Sequence, residues 1–123
     1  MNIEMLKQQT MQLKHTLRQI DSQYEHVRMT KKQADFEKDI KPFVDEIHHL
    51  VNEWENHSKI WIKQKRPKNL HNQQIELAAE NVKTISVQSF FAETSYKRFK
   101  QSVHSIQYIV EKMLMELKTD VNE

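Results

Sequence analysis

Histidines and carboxylates three or four residues apart are the usual sign of a metal or acid–base site on a helix. His49, Glu53 and His57 stand at i, i+4 and i+8, and Glu46 precedes His49 by three residues. On a helix this spacing stacks the side chains along one side. Glu-x-x-His is half of a ferritin-like di-iron motif, which also needs a second copy and two further inward glutamates. No second copy exists: His104 has Gln101, not a glutamate, three residues before it. His49 and Glu53 also fall outside the apolar phase of their segment, on a face expected to be solvated. No metal or other cofactor is expected.

Other chemistries lack their parts. The chain of 123 residues has no glycine and no cysteine. Without glycine, Walker A and Rossmann phosphate loops cannot be written, nor a nucleophile elbow in its usual form. Without cysteine there is no disulfide framework, no thiolate zinc site and no thiol nucleophile. Asp45/Glu46 and Glu53/Glu55 are paired carboxylates. Their faces offer no apolar pocket that would tune one as an acid and the other as a base. The expectation is a protein that is not an enzyme.

The elements that carry these residues are helices. Gln, Lys, Glu, Leu and Met are abundant and favour helix, and only Pro42 and Pro67 interrupt. Ile3, Leu6, Leu13, Leu17, Ile20, Tyr24 and Val27 recur at 3–4 spacing, with Thr10 in the one gap. Phe36, Ile40, Phe43, Ile47, Leu50, Trp54 and Trp61 form a second seam, with His57 in phase between the tryptophans. Ile75, Ala78, Val82 and Ile85 begin a third, which broadens at Val87, Phe90 and Phe91. Tyr96, Phe99, Val103, Ile106, Val110, Met113 and Leu117 make the fourth.

The reading is a single all-α domain over 1–123, an up-down antiparallel four-helix bundle with helices near 2–28, 31–65, 72–91 and 95–119. Thr30 and Gln33 are spaced as a capping box, with Asp35 a rival cap. Pro42 implies a kink or a restart in the second helix. The 3–4 phase runs unbroken from Ile75 to Leu117, which also permits one long helix. A break at Ala92–Ser95, capped by Thr94 or Ser95, gives the bundle its fourth member.

Residues 64–71 read QKRPKNLH. Lys63, Lys65 and Arg66 suit a helix C-terminus, where the macrodipole favours cations, and Pro67 stops the helix. His71 as N-cap puts Gln74 at N3, Leu70 at N′ and Ile75 at N4, a capping box with a hydrophobic staple. Asn69 and Asn72 compete for the cap. Arg66, Lys68 and His71 are also candidate contact residues.

This stretch carries a resemblance. Arg66, Pro67, Lys68, His71, Gln74, Ile75 and Glu76 match a pattern that continues in Gln88, Ser89, Phe90 and in Lys97, Arg98, Phe99, Lys100. Ile40 to Pro42 and Trp54 are similar as well. The chain resembles the YppE-like family of small cytoplasmic proteins from Bacillus-type bacteria, from around Asp35 to the end. The resemblance implies a four-helix bundle. It implies no activity and lends no catalytic residue.

Charge is the remaining signal. The net is only +2, too small to imply nucleic acid. An up-down bundle nevertheless gathers Arg28, Lys31, Lys32, Lys38, Lys41, Lys97, Arg98 and Lys100 at one pole, against Asp35, Glu37, Asp39 and Glu93. Either the acids pair with these cations, or the pole docks an acidic protein surface or phosphate. The opposite pole sets Lys65, Arg66 and Lys68 against Glu4, Glu111, Glu116, Asp120 and Glu123, and is near balance. No stretch approaches the ~18 apolar residues of a membrane span, and the first residues lack a signal-peptide core. The expectation is a cytoplasmic protein that binds another macromolecule, first of all an unidentified protein. Weak nucleic-acid or phosphate binding is the alternative. A ligand pocket beneath Trp54, His57 and Trp61 is the third reading.

Overall fold

The computed structural model describes residues 2–121, with side chains through Thr119. The side chain of Asp120 and the whole of Glu123, both placed at the second pole above, lie outside the described residues. The chain forms α1 (Ile3–Thr30), a π-helical turn (Phe36–Ile40) running straight into α2 (Lys41–Lys65), α3 (Asn72–Gln88) and α4 (Tyr96–Val121). Helix α1 packs on α2 and α4, and α3 packs on α2 and α4, which closes the ring of a four-helix bundle. No described helix is long and apolar enough to cross a membrane.

The predicted seams supply the core, except that Tyr96 of the fourth and Val87 of the third are 44% and 39% exposed. Leu6, Leu13, Leu17, Ile20, Tyr24 and Val27 are buried on α1. Trp54, Trp61, Ile75, Val82, Ile85, Phe99, Val103, Ile106, Val110, Met113 and Leu117 complete the same cluster. The gap at Thr10 has a physical use. Its hydroxyl donates to the Leu6 carbonyl at 2.8 Å and accepts from Trp54 Nε1–H at 3.1 Å, so the buried indole has a partner. Leu50 is only half-buried, and Val51 takes the core position beside it.

The start of the second helix differs from expectation. Thr30 is the last residue of α1, and its hydroxyl donates to the His26 carbonyl at 2.9 Å, so the Thr30–Gln33 capping box does not form. Lys31 ends α1 in the left-handed region (φ 57°), and its N–H donates to the Val27 carbonyl at 2.7 Å. Residues 31–35 are a connection, and Asp35 is the cap, accepting from Lys38 N–H at 2.8 Å. Asp39 in turn accepts from Asp35 N–H at 2.9 Å. The break near Pro42 is a restart. Proline has no N–H for the preceding turn, and the ladder widens just before it, with Ile40 N–H donating to the Asp35 carbonyl at 3.1 Å. The extra residue in this turn rotates Phe36 out of the seam, and it is 59% exposed.

The other two connections follow local chemistry. Arg66 ends α2 in the left-handed region (φ 48°), with its N–H on the Ile62 carbonyl at 2.8 Å. His71 is the N-cap of α3, and its backbone N–H donates to Gln74 Oε1 at 2.8 Å. This is the firm half of the capping box. The Gln74 N–H, which serves the other half, also donates to the His71 carbonyl at 3.0 Å. Leu70 and Ile75 are both buried, as a staple requires. Helix α3 stops at Gln88, three residues earlier than expected. Its last carbonyls are taken by Ser89 and Thr94: Ser89 Oγ donates to the Ser86 carbonyl and Thr94 Oγ1 to the Gln88 carbonyl, each at 2.9 Å. Ser95 Oγ accepts from Arg98 N–H at 3.3 Å at the start of α4. The break at Ala92–Ser95 therefore exists, and both hydroxyl residues have a place in it.

Candidate interaction surface

One pole is built from the 31–35 connection, the π-helical turn and residues 89–95. Two clefts open there, of about 550 and 520 Å³. Lys32, Gln33, Ala34 and Phe90 line both, so the connection runs between them as a strap. Ile40, Phe90 and Phe91 form the apolar side of the larger cleft, and Phe43 and Phe90 that of the smaller. Phe43 meets Phe90 edge-on, with ring centroids 5.3 Å apart, which fixes this floor. Phe91 remains 41% exposed.

The cations of this pole separate into two groups. Lys100 Nζ lies 2.6 Å from Asp21 and 3.5 Å from Glu25 across the α1–α4 seam. Its partial burial alone would lower the ammonium pKa, but the Asp21 hydrogen bond and charge, helped by Glu25, outweigh this and raise it. Arg28 stacks over the Tyr96 ring at 4.3 Å, and Lys41 pairs with Asp45 at 3.2 Å. These three serve the bundle. Among the described residues, the side chains of Lys31, Lys32, Lys38, Lys97 and Arg98 have no ion pair or hydrogen bond. Of the acids expected to pair with them, Asp35 and Asp39 cap backbone N–H groups. Glu37, Glu46 and Glu93 are the carboxylates left without such contacts there. Asp35 and Asp39 keep their charge, so five unpaired cations stand against five carboxylates, and the positive excess is local: Lys31 and Lys32 against Glu93 at the larger cleft.

The structure does not bring all the sequence candidates together. Lys31 and Lys32 line the larger cleft. Lys97 and Arg98 are exposed on the first turn of α4, outside the lining of both clefts. Arg28 and Lys100 are occupied by Tyr96, Asp21 and Glu25. Arg66, Lys68 and His71 sit at the opposite pole, where Arg66 closes α2 and His71 opens α3. The apolar spacing places Ile40, Phe43 and Phe90 but does not show that they floor the clefts. The signal for the cleft was the apolar run Val87, Phe90, Phe91, too broad for one helix stripe. Asp21 and Glu25, at i and i+4, were the signal for the Lys100 pairs.

The remaining candidates resolve as structural. Trp54 and Trp61 are 0% and 1% exposed, so they pack in the core rather than wall a pocket. His57 Nδ1 is 2.9 Å from Gln9 Oε1, and His49 Nε2 is 3.7 Å from Glu53 on a solvated face. Among the described residues, no three histidine or carboxylate side chains converge on one point. A further groove of about 410 Å³ between α3 and α4 is apolar, with Leu77 and Tyr108 exposed beside it.

Residues 10–117 match a family described as a bacterial domain of unknown function, DUF1798. The uncharacterized protein YppE of Bacillus subtilis (strain 168) is 33% identical over 85 residues, 69% of each chain. The crystal structure of YppE superposes with a TM-score of 0.95 at 27% identity and covers 100% of both chains. A Listeria innocua protein of unknown function superposes with a TM-score of 0.92 at 29% identity, over 96% of this chain and 94% of that one.

Proposed function

Because the chain belongs to the DUF1798 family of bacterial domains, whose function is itself unknown, we infer its role from the chemistry of its own surface. We propose that it is a non-enzymatic, cytoplasmic protein that binds another protein through the pole formed by residues 31–40 and 89–95. The observation that carries this reading is the coincidence of a recessed aromatic floor with cations that the fold itself leaves unpaired. Apolar area supplies affinity and unpaired charges supply steering and register, the two components of a specific interface.

Weak nucleic-acid or phosphate binding is the second reading. Lys97 and Arg98, exposed on the first turn of α4, favour it. Glu46 beside one cleft and Glu93 beside the other oppose it, because each repels phosphate. A salt series on binding partners captured from native cytoplasm separates the two. The protein-binding reading expects a protein that stays bound when salt is raised from about 50 to 200 mM, and that is lost with Lys31→Glu/Lys32→Glu. Capture of nucleic acid alone, released over that same range, contradicts it.

A further inference from the structure

We infer that the larger cleft receives an acidic, amphipathic peptide segment. One apolar side chain of that segment lies on Ile40, Phe90 and Phe91, and carboxylates beside it meet Lys31 and Lys32. This rests on the protein-binding reading and names the chemistry of the partner.

The cleft holds about 550 Å³, within the range of sites that take a bulky side chain with some of its backbone. Ile40 and Phe90 are buried beneath it, whereas the Phe91 ring is 41% exposed and belongs only partly to the core. An apolar side chain seated there removes Phe91 from water.

Charge then selects the segment. Lys31 and Lys32 border the cleft without partners, and Glu93 is the one carboxylate among its lining residues. An acidic residue flanking the anchor gains two cations, whereas a basic one meets two like charges. Asp35 and Asp39 cap backbone N–H groups, and neither forms an ion pair with Lys31 or Lys32.

The backbone at Lys31 supplies a clean probe. It ends α1 with φ 57°, a conformation for which glycine is the default. Arg66 ends α2 the same way with φ 48°, at the opposite pole. Lys31→Gly therefore removes a cleft ammonium without a demand on the fold, and Arg66→Gly repeats the backbone change far from the cleft.

The test is selection of a displayed library of random 12-residue peptides on the full chain, followed by titration of the best synthetic peptide. Enriched peptides should carry Asp or Glu beside Phe, Trp or Leu. Binding should weaken about tenfold or more with Lys31→Gly/Lys32→Ala, a change of about 1.4 kcal/mol. It should be unchanged with Arg66→Gly, and peptide-induced amide shifts should centre on Ile40, Phe90 and Phe91. Enrichment of basic or neutral peptides at this pole overturns the acidic occupant but keeps a protein-binding pole. A library that yields no peptide dependent on Lys31 and Lys32 overturns the inference. If, in addition, a single-stranded oligonucleotide binds this pole and is lost with the same double variant, the protein-binding reading falls as well.

Discussion

At the scale of single residues, Thr10 and Trp54 form one buried polar pair, the hydroxyl accepting the indole N–H at 3.1 Å. Thr10 looked like a defect in an apolar seam, yet it is the acceptor that lets an indole be buried. We predict that Thr10→Val costs ~1–3 kcal/mol, because Trp54 Nε1–H is then buried without a partner. Trp54→Ala should cost ~3–5 kcal/mol. Chemical denaturation measures both, and a loss below ~1 kcal/mol at Trp54 would place that residue at the surface. Lys31 and Arg66 carry left-handed backbones in a chain with no glycine. The helix dipole favours a cation there, which offsets part of the conformational cost. Lys31→Gly and Arg66→Gly are each expected to leave stability unchanged or to raise it by up to ~1 kcal/mol. A clear loss in thermal melts would show that the cations contribute more than the geometry implies.

At the scale of elements, the apolar period and the cap residues were legible, and the competition between caps was not. His71 with Gln74 and Leu70 with Ile75 formed as the spacing predicts. Thr30 lost to Asp35, because a threonine at the end of one helix can bond back to the i−4 carbonyl and extend that helix. Asp35→Ala should therefore cost ~1 kcal/mol, and Thr30→Ala much less. The exposure of Phe36 was hidden for a geometric reason, since a π-helical turn breaks the 3.6-residue phase on which the seam was drawn. The α3–α4 connection is held to α1 by the Tyr24 hydroxyl, which donates to the Thr94 carbonyl at 2.5 Å. Burial is the main cause that raises the Tyr24 phenol above its ordinary value near 10, with Glu25 adding and Arg28 and Lys100 opposing. A raised pKa means that this contribution is complete below pH ~10 and is lost as pH rises through the folded-state value. The raised Lys100 ammonium has the same sign: its pairing with Asp21 is complete below its ordinary value of 10.5 and lost above its folded-state one. Alkaline titration of stability should show a fall beginning near pH 10, and Tyr24→Phe should make that fall shallower. A stability that is flat to pH 11 would contradict the pinning role.

At the scale of the whole molecule, the bundle was legible in the sequence, and the pole that carries the two clefts only half so. Composition and periodicity give the four helices, and short connections give their order. Which cations are free depends on how α1 and α4 are rotated against each other, and no linear pattern records that rotation. Lys100 and Arg28 counted toward a charged pole, but they meet Asp21, Glu25 and Tyr96 across the helix seam. Phe90 counted toward a seam but floors a cleft, because α3 ends before it. The family and its structural relatives share the fold at high similarity, so the same comparison of free against paired cations can be made on each of them. The central claim is that this pole is a protein-binding surface. It is tested most directly by replacing Phe91 with a photo-crosslinking phenylalanine analogue and irradiating living cells. The account predicts a discrete crosslinked protein species from position 91 that is absent when the same analogue replaces Met115, which is 72% exposed on α4. Equal crosslinking from both positions, or crosslinks to nucleic acid alone from position 91, would contradict it.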